Sequence, residues 1–182
     1  MLEKYLIEHC SPTLASLKTA SLFCLSISPE SLEESLKQWN GILGPKGLTV
    51  TVLAWQGVRA LVYVCRMSQL RADWAHPEVA NFLTRYGYDP DDVPGSIAHL
   101  QKRLHHCGTF PHEIGLFLGY PLGDVVGFIC NNGKNCKCSG PWKVYCNEGE
   151  TTKQFARFEK CRKVYRKLFQ QGRTIGQLTV AA

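Results

Sequence analysis

The sequence predicts an α+β fold built as a single domain over residues 1–182, a small and at least partly antiparallel sheet covered by helices. Three observations predict it. "LTVTVLAW" (48–55) and "VRALVYVCR" (58–66) are runs rich in β-branched and aromatic residues joined by Gln56-Gly57, the pattern of a tight hairpin. Segments on both sides of the hairpin carry apolar residues at helical spacing behind capping residues. No repeat or linker interrupts the 182 residues, a length at which one core buries about two thirds of the extended-chain surface.

Taken in order, Ser11 and Pro12 of "SPTLASLK" (11–18) read as an N-cap and a first helical residue. "SPESLEESLKQWNGILG" (28–44) opens the same way, with Ser31 and Glu34 at capping-box spacing and Leu32, Leu36, Trp39 and Leu43 on one stripe. The hairpin follows at 48–66. Residues 77–87 read as a short helix ending at Gly87, and 96–106 as a helix with Ile97, Leu100 and Leu104 inward. "EIGLFLG" (113–119) has the length and composition of a buried strand. Pro121 opens a helix in which Leu122, Val125, Val126 and Ile129 share a face, and Asp124 sits in its first turn, where the helix dipole favours an anion. "WKVYC" (142–146) reads as a short strand. The last helix, 151–171, has Thr151 and Gln154 as a capping box, Gly172 as its stop and Phe155, Phe158, Tyr165, Leu168 and Phe169 on its apolar side.

Hydrophobic residues make up 45% of the chain and charged residues 20%, the balance of a soluble globular protein. No apolar run approaches the about 20 residues of a membrane span, and "MLEKYLIEHC" lacks the basic start and apolar block of a signal peptide. A cytoplasmic location without a membrane partner is therefore expected. Nine cysteines, an odd number, fit thiols kept reduced. The net charge of +6 is uneven: residues 134–182 hold 11 Lys and Arg against 3 Asp and Glu, so an anionic partner should meet the C-terminal quarter. The aromatic residues of the basic helix lie on its apolar stripe, where a core needs them; this argues against nucleic acid and favours a solvated cationic face, with an acidic protein as the alternative partner.

Candidate chemistry starts at Cys10, which precedes Ser11-Pro12 at the expected helix start, where the dipole stabilises a thiolate. His112 at the mouth of the expected strand is a candidate base, and Glu113 its neighbour. Gly119, Gly123 and Gly127 lie four apart, a spacing for close packing rather than a nucleotide fingerprint. Cys130, Cys136, Cys138 and Cys146 do not match the paired spacing of structural zinc sites.

Four segments, "HCSPTLASLKTASLF" (9–23), "LVYVCR" (61–66), "FPHEIGLFLGYPLGDVVGFI" (110–129) and "CSGPWKVY" (138–145), carry a resemblance. The chain is similar to a family of anaerobic Gram-positive bacteria catalogued as domain of unknown function 3793. The family brings no established activity; its members often lie beside flavodoxin and ferrous-iron transport genes, which implies iron or redox handling by association. Cys136 and Cys146 depart from the family pattern, where an aromatic and a small residue are expected. Cys10, Lys18, His112, Glu113, Tyr120 and Cys138 remain as the shared polar set.

Three functions are open on these residues. In a Cys-dependent transferase or hydrolase, Cys10 is the nucleophile, His112 the base and Glu113 the orienting group, in a chain order similar to papain-like folds but without their signature around the cysteine. Lys18, Tyr120 and Cys138 would then bind the ligand. In a carrier or sensor, Cys10, His112 and Cys138 converge on iron, haem or another soft ligand. In an interaction module, the basic helix meets an acidic, flavodoxin-like protein.

Overall fold

A computed structural model describes residues 3–106 and 110–181. Helix α1 (Glu3–Leu14) leads into strand β1 (Ala20–Ser26), then α2 (Pro29–Leu43) and the hairpin β2 (Leu48–Gln56) and β3 (Arg59–Arg66). Helices α3 (Met67–Trp74), α4 (Pro77–Arg85) and α5 (Val93–His106) follow, then a helical turn α6 (Ile114–Phe117) and α7 (Leu122–Cys130). A pair of two-residue strands, β4 (Cys138–Ser139) and β5 (Lys143–Val144), precedes the long α8 (Glu148–Gln170) and the short α9 (Ile175–Leu178). The main sheet has the order β1-β3-β2, antiparallel throughout, and β4 pairs with β5 separately. The class is the α+β one expected.

Strand alternation divides the interior in two. Ala60, Val62 and Val64 of β3 face a first core with Leu6, Cys10 and Leu14 of α1 and Leu32, Trp39 and Leu43 of α2. Tyr63 and Cys65 face a second core with Leu70 and Trp74 of α3, Leu100 of α5 and Ile114, Leu116 and Phe117 of α6. Period-two alternation on a central strand produces this double burial. In β2 a bulge between Val52 and Ala54 switches parity. Leu48, Val50 and Val52 face the first core before it, and Trp55 faces that same core after it.

Several elements differ from expectation. Ser11-Pro12 does not open a helix; α1 begins at Glu3 and Pro12 lies within its last turn. Leu6, Ile7, Cys10 and Leu14 already carry a helical stripe, and burial of that stripe decides the start. Pro12 lies two residues before the helix ends, and its missing N–H leaves without an i→i−4 donor only the carbonyl of Glu8, an exposed residue. Strand β1, directly after it, was not expected. Helix α2 does open on Ser28-Pro29 as expected, Ser28 accepting from the Ser31 N–H at 3.3 Å, and Ser31 with Glu34 does not form its cap. The last helix starts at Glu148, three residues ahead of Thr151, which is buried in its first turn.

The expected strand at 113–119 is a helical turn instead. A short continuous apolar run is compatible with either state, and here tertiary donors choose. The Tyr63 hydroxyl donates to the Phe117 carbonyl at 2.6 Å, and Trp74 Nε1 donates to that of Leu116 at 3.2 Å. The Phe117 carbonyl is thereby satisfied inside the second core, and that of Leu116, which also accepts from the Gly119 N–H at 3.4 Å, gains a second donor. Gly115 belongs there because a Cβ would lie 2.7 Å from Val125 Cγ2 on α7. The expected strand at 142–146 is present as β5, shortened to two residues.

Arg66, at the end of β3, is fully buried and locks the chain ends together. Its Nε donates to the Thr13 carbonyl at 2.6 Å, and its Nη2 donates to Leu14 at 2.8 Å and Val180 at 2.7 Å. Lys46 Nζ donates to the Thr179 carbonyl at 2.7 Å beside it. The guanidinium thus caps the carbonyl end of α1 and seats the segment after α9.

Candidate functional site

Two cavities adjoin at the Gly140–Pro141 turn, which lines both. The first, about 390 Å³, lies between α6, α7 and the β4–β5 loop, with Leu22 of β1 as part of its wall. Ile114, Leu118, Val125, Phe128 and Trp142 make most of that wall apolar. At its edge the exposed His112 ring packs 4.9 Å from Phe128 and 6.2 Å from Phe110, and Phe110 is itself 50% exposed. Lys143 completes the rim, its Nζ 5.8 Å from the Phe128 ring and donating to the Gly133 carbonyl at 2.6 Å.

One buried carboxylate holds this wall in place. Asp124, in the first turn of α7, accepts from Trp142 Nε1 at 2.8 Å and from the backbone N–H groups of Tyr145 and Cys146 at 2.8 and 2.9 Å. The ion anticipated at a helix start serves a second element instead, fixing the β4–β5 hairpin against α7. Gly127 allows the approach, since a Cβ there would lie 2.4 Å from the Tyr145 ring. Tyr120 stacks on Trp142 at 4.5 Å, and burial pushes its phenol up to about 12.

The second cavity, about 490 Å³, lies between α1, the start of β1 and α8. Lys18 borders it, donating to the Ala20 carbonyl at 2.7 Å with its ammonium 5.2 Å from the Tyr120 ring. Burial pulls that amine down to about 8.

A family model described as protein of unknown function (DUF3793) matches residues 6–179. The chain belongs to that family. No curated protein and no solved structure matches it.

In this DUF3793 chain the expected site residues fall into separate groups. His112 and Tyr120 border the first cavity, and Lys18 the second. Glu113 turns into the second core, accepting from the Tyr88 hydroxyl at 2.8 Å with Arg103 Nε at 3.0 Å, so it braces the turn rather than the imidazole. Cys138 packs in a small cluster with Trp142, Val144 and Phe158. Cys10 is fully buried in the first core and lines neither cavity, and no hydrogen bond or ring contact joins it to His112 among the described residues. Because α1 begins at Glu3, Cys10 stands toward the carbonyl end of the helix, where the dipole opposes a thiolate. Burial pushes its thiol up to about 12, more than the Lys18 charge and the Ser21 hydroxyl draw it down.

Iodoacetamide at pH 7.5 is therefore expected to alkylate the exposed Cys24 and Cys130 first and Cys10 only on unfolding. Peptide mass mapping over time checks this, and a Cys10 that reacts as fast as Cys24 would restore the nucleophile role.

Iron finds no matching set of ligands among the described residues. Cys10, His112 and Cys138 do not meet, and no group of three or more His, Cys, Asp or Glu is placed to hold a metal ion among the described residues. Of the expected ligands only His112 and Tyr120 border the first cavity, and the Tyr120 hydroxyl is turned to the Pro141 carbonyl at 3.3 Å. The basic face of α8 is partly engaged within the molecule: Arg166 clasps Glu8 on α1, and Arg162 and Lys163 flank Glu159. No helix among the described residues is long and apolar enough to cross a membrane.

Phe110, Phe128, Trp142 and Asp124 are the residues that sequence reasoning did not assign to a site. Asp124 and Trp142 both stood in quoted segments, but nothing in their spacing joins residues 124 and 142.

Proposed function

We propose that this protein binds a small, flat, largely apolar molecule in the first cavity, with an acidic end of that molecule at the rim beside His112 and Lys143. The observation that carries the proposal is the wall itself: apolar side chains and aromatic rings from four separate segments, held open by the buried Asp124 carboxylate, with the polar donors confined to the mouth. Cavities of this size and lining are the usual seats of small-molecule ligands. An exposed imidazole and an ammonium at the edge of an apolar slot select for an anionic terminus. The chain then acts as a carrier or sensor, and the imidazole, not a thiol, is its polar contact with the ligand.

Benzoate, 2-naphthoate and 2-anthroate form a graded set of flat acids for the test. Quenching of tryptophan emission is expected to saturate, most tightly for the acids with fused rings. Ser139→Trp, which puts a bulky ring at an exposed position on the cavity wall, is expected to weaken the best of them by about tenfold or more, equivalent to about 1.4 kcal/mol. His112→Leu is expected to weaken it several-fold with little change in melting temperature. Unsaturable quenching by all three acids, or equal affinity in Ser139→Trp, would remove the proposal.

A further inference from the structure

The second cavity stands apart from the aromatic one in chemistry as well as place. Its walls carry four charged side chains, Glu8, Lys18, Glu159 and Arg162, together with His9 and Ser21. Both carboxylates already have cations. Arg166 holds Glu8 through its Nε at 2.8 and 2.9 Å and through a further Nη2 contact. Glu159 has Arg162 at 3.5 Å and Lys163 at 3.8 Å. Lys18 has no ion pair among the described residues. One of its three N–H donors goes to the Ala20 carbonyl, and its ammonium faces the Tyr120 ring.

The charges around Lys18 do not compensate it. On α1 its neighbour Cys10 is a neutral thiol at pH 7, and Glu8 is committed to Arg166. On α8 the Arg162 guanidinium acts on the Lys18 amine with the same sign and, after burial, adds to the downward pull. His9, stacked 5.3 Å from Phe23, is itself held toward its neutral form by burial and by Arg162 and Arg166, against the pull of Glu8. A largely buried ammonium with spare donors, a guanidinium in the same cavity and no free carboxylate is an arrangement that lacks an anion.

We propose that the second cavity binds an oxyanionic group, carboxylate or phosphate, between the Lys18 ammonium and the Arg162 guanidinium. Charge-assisted hydrogen bonds from both cations supply the affinity, and the bidentate fork of Arg162 orients the group. An anion seated against the ammonium favours its charged form, so binding takes up protons above about pH 8 and weakens as pH rises through that value.

Isothermal titration of the full chain with inorganic phosphate and, separately, with acetate tests the site. Saturable binding of phosphate, or of both anions, is expected at millimolar concentration or below. Phosphate alone identifies a phosphate group and both together a carboxylate-sized pocket. Lys18→Met keeps the packing of the stem and is expected to weaken binding by about tenfold or more, the loss of one charge-assisted bond. Arg162→Gln is expected to weaken it several-fold, and Lys167→Met, on the same helix but away from the cavity, to leave it unchanged. Should Lys18→Met not fold, Arg162→Gln decides. No saturable heat with either anion up to about 20 mM, a concentration well above millimolar affinity, or equal binding in Arg162→Gln and the wild type, overturns the proposal.

Discussion

Arg66→Leu is expected to lower the stability of the folded chain by about 5 kcal/mol, a large part of the 5–15 kcal/mol typical of a domain. The side chain is fully buried and meets no carboxylate among the described residues; its partners are the carbonyls of Thr13, Leu14 and Val180. Two of these are last-turn carbonyls of α1, the negative end of the helix dipole, which is what makes an unpaired guanidinium tolerable there. Leucine would fill part of the volume and remove three charge-assisted hydrogen bonds worth about 1.5–3 kcal/mol each; the Thr13 and Leu14 carbonyls keep one donor apiece, the Ser16 and Val180 N–H groups, and the Val180 carbonyl loses its guanidinium donor. At this chain length the change corresponds to a fall in melting temperature of roughly 10–20 °C. Arg66→Lys keeps the charge but replaces a planar fork by one ammonium, and about half of the loss is expected. Thermal melts followed by circular dichroism check both variants. A leucine variant melting within about 3 °C of the wild type, under about 1.5 kcal/mol by the same conversion, would mean that Arg66 does not clamp the chain ends.

Asp124→Asn is expected to cost about 3 kcal/mol and to loosen the first cavity. The carboxylate accepts three N–H donors through two oxygens. Asparagine keeps an oxygen toward Tyr145 and Cys146 at reduced strength, but its NH2 then faces Trp142 Nε1–H, donor against donor. Turning the amide over is worse, since two backbone N–H groups would face the NH2. The β4–β5 hairpin is anchored to α7 through this group, so the indole wall loses its fixed position. The expected readouts are a fall of roughly 6–12 °C in melting temperature, fast exchange of the Trp142 indole proton and weaker binding of flat acids. A variant that keeps both the melting temperature and the indole protection would assign the wall's rigidity to packing alone.

The hairpin at 48–66 was readable because alternation and a Gln-Gly turn are local signals. Its bulge was not, because the parity switch at Leu53 shows only in what each face touches. The start of α1 was misplaced because Ser11-Pro12 is locally a good helix opening, while the competing stripe of Leu6, Ile7 and Cys10 is stabilised by a core that no local pattern reveals. That shift of several residues also reversed the electrostatics of Cys10, moving it from the positive toward the negative end of a helix dipole. The run 113–119 was ambiguous in principle; Tyr63 and Trp74, more than 40 residues away, decide it. His112 and Tyr120, both singled out from the sequence, border the first cavity, but their companions Phe128 and Trp142 come from segments that only the fold brings together.

The central claim is that the first cavity is a ligand seat, and the most direct measurement of it is the ¹H–¹⁵N spectrum of the protein's tryptophan indoles during titration with 2-naphthoate and 2-anthroate. Trp142 lines the cavity, whereas Trp39 and Trp74 are buried in the two main cores. The expected result is a saturable shift of the Trp142 indole signal, accompanied by the His112 ring, with Trp39 and Trp74 unmoved. A Trp142 signal that stays in place with both acids, or shifts spread evenly over the indoles, would contradict the account.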